Sequence, residues 1–162
     1  MSSDFYTSSI LPHASIIIKI CRAYAHSQED FEDYYQEVCL QIWKSRNNFK
    51  QQSEWTTWIY RIALNVCLTQ TNKASKRNES ASETLISFEW DQNHAFKDET
   101  LNLLYGAIKR LNEIDRAVIL LYLEEHTYEE IATIIGANQN SIGVRISRIK
   151  TRLKTLLDGT IN

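Results

Sequence analysis

The sequence predicts an all-α protein made of two small helical domains joined by a flexible linker, with a helix-turn-helix in the second domain. Three observations support this fold class. Apolar residues recur at spacings of three and four along most of the chain, only four glycines and one proline interrupt them, and a long polar stretch divides them into two regions. We therefore place the first domain at residues 1–74, the linker at 75–97 and the second domain at 98–162.

The first domain contains three apolar stripes with the period of a helix. They lie in residues 16–24, 35–43 and 55–66. The repeat stops after Thr69, where the segment TNKASKRNESASE is polar and typical of a linker. Four apolar residues later in this stretch could dock the linker onto a partner, form a short strand or pack on one another: Leu85, Ile86, Phe88 and Trp90.

The second domain ends in a pattern that predicts a helix-turn-helix. Thr127 and Glu130 have the spacing of a capping box at the start of a short helix, and Gly136 is suited to end that helix. Asn138 is placed to cap a longer helix. The apolar face of the longer helix would consist of Ile142, Ile146, Ile149, Leu153 and Leu156.

The opposite face of this longer helix is suited to bind DNA. If the apolar face is buried, five residues face outward: Asn140, Val144, Ser147, Arg148 and Thr151. Five basic residues between positions 145 and 154 flank this face and could reach phosphates. A helical hairpin with solvated basic side chains is the alternative, but the cap, the turn and the segregated charge together favour DNA binding. The expected DNA contacts here are Tyr128, Gln139, Asn140, Arg145, Ser147, Arg148 and Lys150.

Composition and motifs exclude several classes of function. The apolar and charged fractions, 43% and 23%, are those of a globular protein, and no run approaches a membrane span, so we expect a cytoplasmic protein without membrane insertion. Three cysteines without paired spacing predict reduced, packed thiols: Cys21, Cys39 and Cys67. The sequence offers no nucleophile with a base, no metal-ligand set and no phosphate loop. We expect neither enzymatic activity nor a metal or cofactor.

Two polar features of the first domain suggest binding surfaces. Residues 29–37 hold five acidic residues and no basic one, which suits a basic protein partner or the start of a helix better than a metal. Thr57, Arg61 and Asn65 form an i, i+4, i+8 row beside the third stripe. The preceding loop NNFKQQSE is rich in amides and suits a single strand with an unstacked base. Core tryptophans beside a solvated face are the alternative.

Two segments are similar to a known protein family. DFEDYYQEVCLQIWKSRNNFKQQSEWTTWIYRIALN, residues 30–65, resembles region 2 of bacterial RNA polymerase sigma factors of the extracytoplasmic-function group. LNEIDRAVILLYLEEHTYEEIATIIGANQNSIGVRISRIKTRLKTLL, residues 111–157, resembles region 4 of the same group. The resemblance spans about residues 10–157 and implies a factor that binds core RNA polymerase, directs it to promoters and melts DNA without catalysis.

The resemblance also implies roles for particular residues. One helix would bind the clamp helices of the largest polymerase subunit through Asp33, Gln36, Glu37, Leu40 and Trp43. The loop and helix that follow would melt the minus-ten promoter element, and a flipped nontemplate base would be captured. The implied single-strand contacts are Phe49, Lys50, Thr57, Arg61, Asn65 and Lys73. The second domain would read the minus-thirty-five element and contact the flap of the second-largest subunit.

One position departs from the family pattern. Members of the family commonly have a basic residue on the recognition helix where this chain has Gly143, followed by Val144. Small uncharged residues remove contacts to bases and phosphates, so we expect weak or relaxed recognition of the minus-thirty-five element. The further partners that we expect are an anti-sigma factor, or another protein that binds DNA and recruits the complex to it.

The competing hypothesis is a stand-alone helix-turn-helix regulator that binds duplex DNA without polymerase. The sequence names neither the promoter nor the inducing signal.

Overall fold

The computed structural model describes residues 3–49, 54–78 and 99–161. The chain divides into two compact units, Met1–Asp91 and Gln92–Asn162. All regular structure in the described residues is helical, which confirms the predicted all-α class. No helix among these residues is long and apolar enough to cross a membrane.

The first unit is built on three packed helices. Short helical turns precede them: α1 at Ser3–Phe5, a π-helical turn at Tyr6–Ile10 and a 3-10 turn at Leu11–His13. The three helices are α2, Ala14–Tyr24, α3, Gln28–Lys44, and α4, Trp55–Asn78, and each packs against the other two. A 3-10 turn at Arg46–Asn48 follows α3. Their shared core consists of fully buried side chains, including Ile17, Ile20, Val38, Ile42, Ile59 and Ala63.

Helix α4 is longer than the sequence pattern predicted. The apolar repeat stops after Thr69 and the linker was placed from residue 75, but α4 continues through Asn78. The physical reason is that α4 has no glycine or proline here, and residues such as Lys, Ala and Arg favour helix without needing burial. The rest of the predicted linker, with Leu85, Ile86, Phe88 and Trp90, lies outside the described residues.

The three cysteines are buried in the first unit as free thiols, as the sequence predicted. Burial raises the pKa of the Cys39 thiol to about 11. The Cys67 thiol donates a hydrogen bond to Cys21 Sγ, 3.9 Å away, and this bond raises the pKa of Cys67. Neutral, inaccessible thiols are weak nucleophiles, so these side chains act as small apolar core residues.

The second unit contains four helices in its described part. They are α5, Glu99–Lys109, α6, Glu113–Leu123, α7, Tyr128–Ile135, and α8, Gln139–Ile161. Helix α8 packs against the other three. The core is again aliphatic and includes Ile108, Val118, Leu121, Ile131, Ile142 and Ile146.

The turn between α7 and α8 has the predicted chemistry. The Glu130 N–H donates to Thr127 Oγ1 and the Thr127 N–H donates to Glu130 Oε1, both at 3.1 Å, which completes the capping box. Gly136 has a φ of 79°, in the left-handed region, and ends α7. The Asn140 N–H donates to Asn138 Oδ1 at 2.9 Å, so Asn138 caps α8. These contacts confirm the helix-turn-helix.

Replacing Thr127 with alanine should destabilise the second unit by about 1 kcal/mol, because the N–H of Glu130 loses its cap. Urea unfolding of the full chain, followed by circular dichroism, measures the change. Thr133→Ala is the matched control, since Thr133 lies within α7, away from its cap, and its hydroxyl donates to the Glu129 carbonyl. An equal loss in both variants would contradict the role of the cap.

The same contacts make the cap pH-dependent. The backbone N–H and the hydroxyl of Thr127 hold the pKa of Glu130 below its ordinary value of 4.5. The contribution of the Glu130 carboxylate is therefore present above pH 4.5 and is lost as the pH falls through the lower folded pKa. Urea unfolding of the unaltered chain should therefore show a larger loss of stability on acidification below pH 4.5 than that of Glu130→Gln, whose side chain does not ionise.

Candidate polymerase and nucleic-acid interfaces

Helix α3 presents an exposed face with the predicted polymerase-binding residues. Asp33, Gln36 and Leu40 are exposed and Glu37 is half-buried, and the spacings of three and four place them on one side of the helix. The Leu40 side chain is 37% exposed among polar neighbours. A single exposed leucine is ordinary on a protein surface, so the distinctive feature of this face is its negative charge.

Trp43, which was predicted to belong to this face, has partners inside its own unit. Its ring packs edge-on against the ring of Phe5 at a centroid distance of 5.1 Å. The Arg46 guanidinium lies 3.6 Å from the Trp43 ring centroid and donates a hydrogen bond to the Trp43 carbonyl. These contacts hold the Trp43 ring, which is half-buried, at the carboxyl end of α3.

An aromatic cluster fixes the chain on both sides of residues 50–53. The Phe49 ring lies 5.1 Å from the Trp55 ring and 5.4 Å from the Trp58 ring, and the two tryptophans stack at 4.9 Å. Trp55 Nε1 donates to the Ser9 carbonyl at 2.9 Å. Phe49, predicted to contact single-stranded DNA, is thus packed into its own unit. Lys50 lies outside the described residues.

The polar row on α4 forms as predicted. Thr57 and Arg61 are half-buried, whereas Asn65 and Lys73 are exposed. Members four residues apart are offset by about 40° around the helix axis, so Thr57, Arg61 and Asn65 lie on one side, and Lys73 lies about 80° further round from Asn65. The buried stripe of α4 lies beside this row, which gives the helix one face for the core and another for a ligand.

A groove of 390 Å³ between α3 and α4 brings two predicted sites together. Asn65 and Lys73 line it from α4, and Glu37 lines it from α3. Thr57 and Arg61 lie nearer the amino end of α4 and do not line it. The other lining residues are Gln41, Ser45, Ile62, Val66, Thr69 and Gln70.

Sequence reasoning missed the contribution of α3 to this groove. Gln41 and Ser45 continue from Glu37 in steps of four residues, which is the available signal. Gln41 Nε2 donates to Glu37 Oε1 at 2.8 Å, and this bond orients both side chains. The groove therefore offers amide and carboxylate groups that can hydrogen-bond a base edge. The Lys73 ammonium at the same groove can contact a phosphate.

The recognition helix α8 exposes the predicted face. Its outward residues are all exposed: Gln139, Asn140, Val144, Ser147, Arg148 and Thr151. The residues that hold the opposite face in the core are all buried: Ile142, Ile146, Ile149, Leu153 and Leu156. Sequence periodicity thus assigned the two faces of this helix correctly.

Two basic residues predicted to contact DNA are bound within the second unit. Arg145 Nη1 lies 2.9 Å from Asp115 Oδ1 at the start of α6. Lys150 Nζ donates to the Tyr122 hydroxyl at 2.6 Å, which raises the Lys150 pKa, and lies 4.4 Å from the Tyr122 ring centroid. Arg148 has no ion-pair partner within the described part of the chain. It is therefore the basic residue best placed on the outward face.

Gly143 marks a close approach between α7 and α8. A Cβ atom at this position would lie 3.3 Å from Cε2 of Tyr128, which is tighter than ordinary contact. The Tyr128 ring therefore lies against the first turn of α8 while remaining 42% exposed. Tyr128, predicted as a DNA contact, is held at the edge of the recognition surface by this packing.

The acidic segment lies at the amino end of α3. In the described ranges, no group of three or more His, Cys, Asp or Glu side chains could hold a metal ion. Glu29 and Asp30 instead occupy the first turn of α3, where the Asp30 N–H donates to Ser27 Oγ and negative charge is favoured by the helix dipole.

Comparison with known proteins matches each unit separately. Residues 10–77 match the family model of sigma-70 region 2, and residues 101–153 match that of sigma-70 region 4. The chain is 24% identical over 161 residues to the RNA polymerase sigma-H factor of Pseudomonas aeruginosa, covering 91% of this chain and 83% of that protein. It is 25% identical over 141 residues to the sigma-E factor of the extracytoplasmic-function group from Haemophilus influenzae, covering 79% and 75%.

Solved structures share the fold. The sigma factor RpoE of Bartonella quintana, solved with the anti-sigma factor NepR, superposes with a TM-score of 0.80 at 22% identity and covers 97% of this chain and 98% of that one. CnrH, solved with the cytosolic domain of CnrY, superposes with a TM-score of 0.70 at 18% identity, covering 98% and 90%. The two family matches fall on the two helical units in the expected order. The chain belongs to the extracytoplasmic-function group of RNA polymerase sigma factors, which are transcription initiation factors that bind RNA polymerase and DNA.

Proposed function

We propose that this sigma factor opens promoters by holding an unstacked nontemplate base of the minus-ten element in the groove between α3 and α4. The observation that carries this proposal is that Asn65 and Lys73 line one groove together with Glu37 and Gln41. Amides can bond the edge of a base, and an ammonium group can bond the adjoining phosphate. No catalytic step is required of the protein.

Binding energy drives the melting. Unstacking and unpairing one base costs a few kcal/mol, and contacts made only to the extruded base offset that cost. The aromatic cluster of Phe49, Trp55 and Trp58 anchors the amino end of α4, next to Arg61, within its own unit. Arg61, on the same row as Asn65, is suited to contact the strand as it leaves the duplex.

The exposed face of α3 would bind the clamp helices of the largest polymerase subunit. Asp33 and Glu37 supply negative charge and Leu40 supplies apolar area, which together suit a basic partner with an apolar patch. Glu37 also lines the groove, so polymerase and DNA would meet at neighbouring surfaces of one helix. This adjacency would favour base capture by the polymerase-bound factor.

The second unit would contact the polymerase flap and read the minus-thirty-five element weakly. Gly143 and Val144 carry no charge, and Arg145 and Lys150 have partners at Asp115 and Tyr122. Arg148 then remains as the main basic contact on the outward face. Weak readout would leave promoter choice to the first unit or to a partner protein.

Two kinds of partner protein fit this proposal. The structural relatives were solved with proteins bound to them, the anti-sigma factor NepR and the cytosolic domain of CnrY. We propose that an anti-sigma factor restrains this chain, or that a DNA-targeting protein recruits it to promoters. A stand-alone regulator is not favoured, because the first unit matches region 2 of a polymerase-binding family.

Replacing Asn65 with alanine should lower transcription from a double-stranded promoter about tenfold, the value of one or two lost hydrogen bonds, while polymerase binding is retained. A premelted promoter should restore most of the activity, because unpairing no longer opposes initiation. Permanganate reactivity of unpaired thymines reports the melting directly. Asn72→Ala is the matched control, since Asn72 is exposed on α4 and does not line the groove. Equal defects in both variants would contradict base capture in this groove.

Replacing Asp33 with lysine should weaken binding to core polymerase about tenfold or more, because a like charge then faces the partner. Titration of labelled chain with polymerase measures the affinity. Asp33 is exposed and does not line the groove, so its effect on DNA is separable. Glu99→Lys makes the same charge change on exposed α5 and should bind normally. Unchanged affinity of the Asp33 variant would count against the α3 face.

The full chain should bind its best duplex less than about a thousandfold more tightly than random duplex, and a thousandfold is the lower limit for specific DNA-binding proteins.

Gly143→Lys should raise duplex affinity and steepen its salt dependence by about one phosphate contact. Gly159→Lys adds the same charge at the far end of α8, where nothing crowds the side chain, and should have a smaller effect. Strong selection of one element by the unaltered chain would overturn the proposal of weak readout.

A further inference from the structure

The recognition surface of the second unit carries exposed apolar side chains where base readout would occur. Val144 is 54% exposed and lies on the outward face of α8 between Asn140 and Arg148. Tyr128 is 42% exposed at the start of α7. A single exposed valine is ordinary on a protein surface. Its position in the middle of a DNA-reading face is what requires an explanation.

Gly143 determines the shape of this surface. The absence of a side chain at position 143 allows the Tyr128 ring to lie against α8, one residue before Val144. A long basic side chain at position 143 would displace the ring or cover its edge. The glycine therefore replaces a charged contact with an apolar one, and leaves Val144 uncovered.

Charge around Val144 identifies the kind of molecule that would cover it. Val144 lines a groove of 490 Å³ together with Arg148 and with the Arg145–Asp115 ion pair. Arg148 and Arg152 line a second groove further along the outward side of α8. An apolar protein surface gains little from the exposed Arg148 and Arg152, whereas a phosphate backbone complements their charge.

We propose that Val144 reads the C5-methyl group of thymine in the major groove. Thymine methyl is the apolar group that base edges present there, and apolar side chains contact it. The inference rests on the proposed function in one respect, that α8 faces promoter duplex. It gives this face a preference for thymine in the minus-thirty-five region in place of hydrogen-bonded readout.

The expected preference is small, in keeping with weak readout. One buried methyl group is worth about a fourfold change in affinity. A thymine-biased element bound with modest affinity is therefore expected, not a tightly selected sequence. Arg148 and its basic neighbours would supply most of the binding through phosphates and little of the selectivity.

The test removes the methyl group from DNA and the apolar group from the protein. The full chain is used to select from random short duplexes made with either thymine or deoxyuridine, which pair identically and differ by the methyl group. Thymine should be enriched at one or two positions in the first pool, and uracil should not be enriched in the second. Replacing the enriched thymine with deoxyuridine should lower affinity about fourfold.

Variants of the protein test whether the Val144 side chain is what recognises the methyl group. Val144→Ser should bind thymine and deoxyuridine duplexes equally, whereas Leu103→Ser, at an exposed apolar residue of α5, should still distinguish them. Equal binding of the two duplexes by the unaltered chain, the lack of thymine enrichment, or the lack of any duplex binding would overturn the inference. Polymerase binding is measured in parallel. Discrimination without polymerase binding would reject the proposed function alone, and polymerase-dependent transcription without discrimination would reject this inference alone.

Discussion

The rotation of α4 about its own axis is the constraint on which the proposed promoter-opening site depends. Ile59, Ala63 and Cys67 are fully buried against the neighbouring helices, and they lie at spacings that only one orientation of α4 can satisfy. That orientation turns Asn65 and Lys73 toward α3. A change of one residue in the register of the buried stripe would rotate the polar row by about 100° and take it out of the groove.

The second unit depends on the same kind of constraint. Buried isoleucines along α8 fix its rotation, and the left-handed Gly136 sets the angle at which it leaves α7. The Arg145–Asp115 ion pair joins α8 to α6 at the edge of the recognition surface. Because Arg145 is paired with Asp115 in this arrangement, it must leave that partner or share it in order to contact DNA.

The sequence predicted those features that depend on one helix at a time. Periodicity assigned the buried and outward faces of α8, and local spacing assigned the Thr127–Glu130 cap and the Asn138 cap. It did not predict contacts between distant elements. The Trp55–Ser9 hydrogen bond, the Phe5–Trp43 packing and the Lys150–Tyr122 contact join residues far apart in the chain. An apolar stripe indicates that a face is buried but not which helix covers it, so these partners follow only from the packed structure.

We propose that this chain directs polymerase to promoters through an opened minus-ten element. The most direct test reconstitutes the full chain with core RNA polymerase on a pool of promoter fragments and sequences the transcripts. We expect defined start sites that share an upstream element, with thymines near each start reactive to permanganate only when the chain is present. Failure of the chain to bind core polymerase would show that it is not a polymerase-dependent initiation factor.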